Sequence, residues 1–72
     1  MTNVKSIRIK DEFVSLGQFL KICDLINSGG EAKYFLNENE VSVNGVREAR
    51  RGRKLYDRDL IKINDEVYQI CR

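Results

Sequence analysis

Apolar positions recur with two periods along this 72-residue chain, and the switches between them mark its elements. In "VKSIRIK", residues 4–10, Ile7 and Ile9 alternate with Arg8 and Lys10, the two-residue period of a short half-buried strand. The run "VSLGQFLKICDLINSG" changes to a helical period, with Leu16, Phe19, Leu20, Cys23 and Ile26 on one face and Ile22 and Leu25 widening it. Ser15 and Gln18 have capping-box spacing, Val14 and Phe19 are placed as a hydrophobic staple, and Gly29 is expected to end the helix in a left-handed conformation. Ser28 and Glu31 repeat the capping-box spacing for a second helix with an Ala32, Phe35, Leu36 stripe, stopped by "NEN". So short a connection predicts a helix-turn-helix-like pair.

Beyond residue 40 the period returns to two. Asn44-Gly45 sits between "EVSV" and "VRE", and both residue types tolerate the positive φ of a tight hairpin turn. Two-residue register sets Val43 opposite Val46 and Ser42 opposite Arg47, so Val41, Val43 and Val46 are expected on the core face with Arg47 outward. Asp57-Arg58-Asp59 and Asn64-Asp65-Glu66 read as turns around the strands "LIKI" and "VYQI", with Ile61, Ile63, Tyr68 and Ile70 inward. The sum is an α+β fold: one small domain, residues 1–72, in which two short helices pack on a small, mostly antiparallel sheet completed by strands at 4–10 and 67–71.

Charge changes the picture at one place. Residues 47–62 hold seven of the thirteen basic side chains and three of the eleven acidic ones, so a formal net charge of only +2 hides a positive pole. Its densest part is "REARRGRKL", residues 47–55, read as a solvated loop with Gly52 supplying backbone freedom. Such a loop adds little to a core, so replacing Arg50, Arg51, Arg53 and Lys54 together is expected to leave the fold intact. Crowded like charges gain most when an anion neutralises them, which directs attention to a polyanionic partner. Arginine offers a planar fork to phosphate and a flat face to bases.

Other candidate chemistry is sparse. With no histidine, and with Cys23 and Cys71 lacking paired metal-ligand spacing, no catalytic, cofactor or metal site is expected, and the cysteines read as free thiols of a cytoplasmic protein. No apolar stretch has the length of a signal-peptide core or a membrane span. Lys33 and Tyr34 fall on the exposed face of the second helix, where Tyr34 either stacks on a base or lies over its own helix. Gly29-Gly30 either offers backbone N–H groups to a phosphate or is a tight interhelical turn.

The ordered combination in residues 16–63, with Glu31-Ala32-Lys33 followed by Val41-Ser42-Val43-Asn44-Gly45 and a closing strand, resembles the RNA-binding domain named after small-subunit ribosomal protein S-four, the alpha-L motif. Through "SGGEAK" and "RRGRKL" it is most similar to the small stand-alone members, the YaaA and YbcJ type. The resemblance implies a domain that lays its helix pair and adjoining hairpin loop against structured RNA, ribosomal or tRNA-like; a monomer is expected, and the lack of histidine and of a base beside either cysteine argues against catalysis. Lys33 would be the phosphate contact of the second helix, and Arg50, Arg51, Arg53 and Lys54 the basic loop, with Arg47 and Arg58 flanking it. The chain departs from the common pattern by holding Leu16-Gly17-Gln18 in place of Arg-Leu-Asp and Arg58 in place of a glycine. The reading from a different class is a protein-interaction adaptor whose basic loop docks on an acidic partner; DNA is less favoured, since the second helix carries Glu31 and Glu38.

Overall fold

Alternating β-branched residues close a sheet at the centre of the molecule. The computed structural model describes residues 3–72, leaving residues 1 and 2 of the expected domain outside the described residues. A five-stranded sheet runs in the order β1 (Val4–Arg8), β7 (Glu66–Cys71), β6 (Leu60–Ile63), β3 (Val41–Val43) and β4 (Val46–Arg47). All its pairings are antiparallel except β1 with β7, which run parallel from Val4 opposite Val67 to Arg8 opposite Cys71. A separate two-stranded ribbon pairs β2 (Phe13–Ser15) with β5 (Lys54–Tyr56). Helices α1 (Leu16–Ile22) and α2 (Ala32–Glu38), the latter preceded by a 3₁₀ turn at Gly29–Glu31, pack over the apolar side.

The inward residues are those the alternation selects. Val41, Val43, Ile61, Ile63, Tyr68 and Ile70 meet Leu16, Phe19, Leu20, Ala32 and Leu36 from the helices in one buried cluster. Phe19 and Tyr68 cross edge-to-face at 5.5 Å between centroids, the arrangement that aromatic quadrupoles favour. Ser15 caps α1 as a full capping box with Gln18. An amide chain fastens the far end of α2: the Asn39 side chain donates to the Phe35 carbonyl and accepts from Asn64, whose Oδ1 accepts the Glu40 N–H.

Five expectations are corrected. Helix α1 stops at Ile22 rather than running to Gly29, because Asp24 takes the left-handed conformation (φ 62°) and only Ile26 of the following apolar residues turns fully inward. The connection between the helices is therefore longer than a tight turn, spanning residues 23–31. The second capping box does not form: Ser28 makes no side-chain cap, and the Glu31 carboxylate instead accepts the Asn27 N–H. Val46 keeps its register opposite Val43 yet is 65% exposed, since β4 is a two-residue edge strand that overhangs the core. Neither Gly29 nor Gly52 has positive φ, so the freedom expected of Gly52 is not what its position requires.

The left-handed positions lie in turns. Asn44 and Gly45, at φ 52° and 85°, make the hairpin turn that their identities predict. Arg58 stands at φ 74°, which accounts for the glycine usual at that place. Gly45→Ala is expected to destabilise the protein by about 1 kcal/mol through backbone strain alone, because a Cβ there meets no neighbour. Gly29→Ala, equally uncrowded but at ordinary φ, is expected to leave stability unchanged or slightly raised. Thermal unfolding of the two variants checks the contrast, and equal midpoints would contradict it.

Candidate functional site

Residues 48–53 form the loop between β4 and β5, and its conformation is set by an acid. Glu48 is the one charged side chain among the described residues to be buried, at 7% exposure. Its carboxylate accepts from Arg50 Nε at 3.0 Å and Arg50 Nη2 at 3.1 Å, a side-on fork, and from Arg53 Nη1 at 2.8 Å. The Arg50 backbone N–H adds a fourth bond to the same group. Hydrogen bonding from Arg50, reinforced by Arg53, holds Glu48 down at about 2 against an ordinary 4.5, despite the opposing effect of burial.

The folded loop in turn completes helix α1. The Arg53 and Arg51 carbonyls accept the N–H groups of Leu16 and Gly17, each at 2.8 Å, and Ser15 Oγ accepts that of Gln18. Three donors that a helix N-terminus leaves without intrahelical partners are thus satisfied, two of them by the basic loop. The approach is close: a Cβ at Gly17 would stand in contact with the Arg51 carbonyl oxygen at 3.4 Å and with Ala32 Cβ at 3.6 Å. The loop thus lies directly on the first turn of α1, where the chain holds Leu16-Gly17-Gln18.

This arrangement corrects the picture of a merely solvated loop. Arg50 and Arg53 are structural partners of a shielded carboxylate, so removing them with Arg51 and Lys54 is expected to cost stability rather than to leave the fold untouched. Nothing in composition marked Glu48 except its position as a lone acid among five bases.

The sequence-predicted residues divide into groups. Gly30, Lys33, Arg50 and Arg51 border one hollow of about 410 Å³ between α2 and the loop. Arg53 and Lys54 lie beyond Arg50, around a second hollow of about 380 Å³ that also touches Tyr56. Tyr34 is exposed as expected but borders a different groove with Leu25, Glu31 and Glu38, away from the cations. Arg47 sits on the outer face of the sheet, in register with Ser42 and through it with Lys62. Arg58 holds a turn, its N–H donated to the Ile70 carbonyl, and Gly29 belongs to the 3₁₀ turn without bordering the loop hollow.

A basic surface composed of an α2 lysine and a loop seated on α1 invites comparison with known proteins. The family model described as S4 domain matches residues 7–71. The chain belongs to the S4 domain family. It is also similar to a Bacillus subtilis (strain 168) protein named probable ribosome maturation protein RlbA, with 56% identity over 57 residues, 79% of this chain and 80% of that one. Among the described residues of this S4 domain, no helix is long and apolar enough to cross a membrane, and no cluster of histidine, cysteine, aspartate or glutamate is arranged to hold a metal ion. Cys23 and Cys71 are free and partly buried, and burial pushes the Cys23 thiol up to about 11.

Two outcomes follow for the Glu48 clamp. Glu48→Gln is expected to lower stability by about 1–2 kcal/mol at neutral pH; Arg50→Ala with Arg53→Ala is expected to lower it as well, whereas Arg51→Ala with Lys33→Ala is expected to leave it near wild type. Because the folded state holds Glu48 below its ordinary value, the stabilisation is complete above about pH 4.5 and is lost as pH falls toward about 2. Denaturant unfolding of wild type and Glu48→Gln across that range should show the gap between them closing in acid; a gap independent of pH would refute the clamp.

Proposed function

We propose that this S4 domain is a non-catalytic, monomeric RNA-binding protein of the cytoplasm that recognises structured RNA, ribosomal RNA in the first instance, in the course of ribosome maturation. The observation that carries the reading is the hollow in which Lys33 on α2 meets Arg50 and Arg51 on a loop seated against α1. Family membership and the name of the Bacillus subtilis relative support it.

Glu48 divides the labour among the cations. It occupies Nε and Nη2 of Arg50 and Nη1 of Arg53, which fixes the backbone of the loop and leaves the remaining guanidinium edge of Arg50 directed to solvent. Arg51 and Lys33 are exposed and carry no ion pair among the described residues, so their charge is available to phosphate without first breaking a contact. A rigid loop presenting exposed cations suits the backbone of a folded RNA, whose phosphates are fixed in space, because little conformational freedom remains to be lost on binding. Arg47, together with Lys62 on the outer sheet face, extends the positive surface around the hairpin.

Arg51→Ala with Lys33→Ala is the informative variant, because its fold is expected to be intact. Its affinity for a structured ribosomal RNA fragment should fall strongly, and the slope of log K against log salt should become shallower by about 0.7 to 0.9 for each cation removed. Equilibrium binding at several salt concentrations, with duplex DNA as competitor, reads both quantities. An unchanged slope, or RNA and DNA bound alike and weakly by wild type, would turn the assignment toward an acidic protein partner.

A further inference from the structure

The β2–β5 ribbon carries two aromatic side chains that the core does not use. Phe13 and Tyr56 face each other across the ribbon, ring centroids 5.8 Å apart and planes tilted by 48°. They remain 40% and 43% exposed, whereas Leu55 and Val14, the neighbouring pair of the same register, are buried. A cross-strand aromatic pair steadies a ribbon this short, but that role leaves both rings partly exposed to solvent.

Cations flank the pair on both sides. Lys54 reaches over Phe13 with its ammonium 4.9 Å from the ring centroid. On the Tyr56 side lies the hollow of about 380 Å³ bordered by Arg50, Arg53 and Lys54. On the Phe13 side lies a hollow of about 470 Å³, where Arg8, Lys10 and Lys21 stand against one acid, Asp11, above an apolar floor. The aromatic pair is thus a ridge between two positively charged depressions, one of them continuous with the basic loop through Arg50.

We infer that this ridge binds an unpaired segment of the RNA, with a nucleobase stacked on Tyr56 and Phe13 and the flanking phosphates held in the two depressions. The inference rests on the RNA-binding reading of the loop and adds to it a ligand of different form: single-stranded nucleotides adjoining the folded region. Successive cation, aromatic and cation positions are what a single strand offers partners to, since every base has a π-face and every linkage a charge. A duplex cannot use the ridge, because its bases are already stacked within the helix.

The test compares two RNA hairpins that differ only in a single-stranded flank, with 2-aminopurine placed in the flank as a stacking reporter. Wild type is expected to bind the flanked hairpin at least about fivefold tighter than the blunt one and to quench the reporter. Tyr56→Leu, which keeps an apolar strand residue, should lose the gain and the quenching while binding the blunt hairpin as wild type does. Tyr56→Phe should retain both. Equal affinity of wild type for the two hairpins, or a flank gain that survives Tyr56→Leu, would overturn the inference and leave the ridge to a protein partner. Failure to bind either hairpin would overturn the loop reading instead, and this inference with it.

Discussion

Four hydrogen bonds converge on the Glu48 carboxylate, and the placement of the basic loop depends on them. Five cations in nine residues repel one another and would spread the loop into solvent. One shielded carboxylate reverses that tendency, drawing Arg50 and Arg53 onto a common point and curling the backbone so that the Arg51 and Arg53 carbonyls reach helix α1. The same carbonyls then complete the helix N-terminus, so the loop and the helix pair stabilise each other. A concentration of exposed cations and a structural cap are two aspects of one local fold.

This coupling explains why cations close in sequence have unlike roles. Arg50 and Arg53 order the loop, Arg51 and Lys33 stand free at its hollow, and Lys54 leans over Phe13. Net charge alone does not describe such a surface. Part of the positive charge is engaged in holding the shape of the loop, and the cations without an ion pair among the described residues are a smaller set held at fixed places.

Local signals in the chain were sufficient for much of this. The Ser15–Gln18 box, the Asn44-Gly45 turn with its register, and the inward set Ile61, Ile63, Tyr68 and Ile70 all rest on neighbouring residues, and all stand as read. The corrected features depend on distant partners. Helix α1 ends early where Asp24 turns left-handed, and Ile26 is the apolar residue of the connection that is buried; Val46 is exposed on an edge strand; Glu48 is buried where two arginines converge on it. The Phe13–Tyr56 ridge has residues 43 positions apart in sequence that only the β2–β5 register joins. Charge density drew attention to the loop, whereas the pairing of Phe13 with Tyr56 left no local signal in the sequence.

The parallel pairing of β1 with β7 has a consequence in time as well as in space. Strands drawn from opposite ends of the described chain lie side by side, so closing that ladder spans nearly its whole length. Such long-range closure is the slowest kind of contact to form, and it comes after the local hairpins and the capped helix. During synthesis β1 has no partner until residues 66–71 have been made, and until then its backbone donors and acceptors remain with water. The sheet is therefore a clock on translation: its first strand waits for its last.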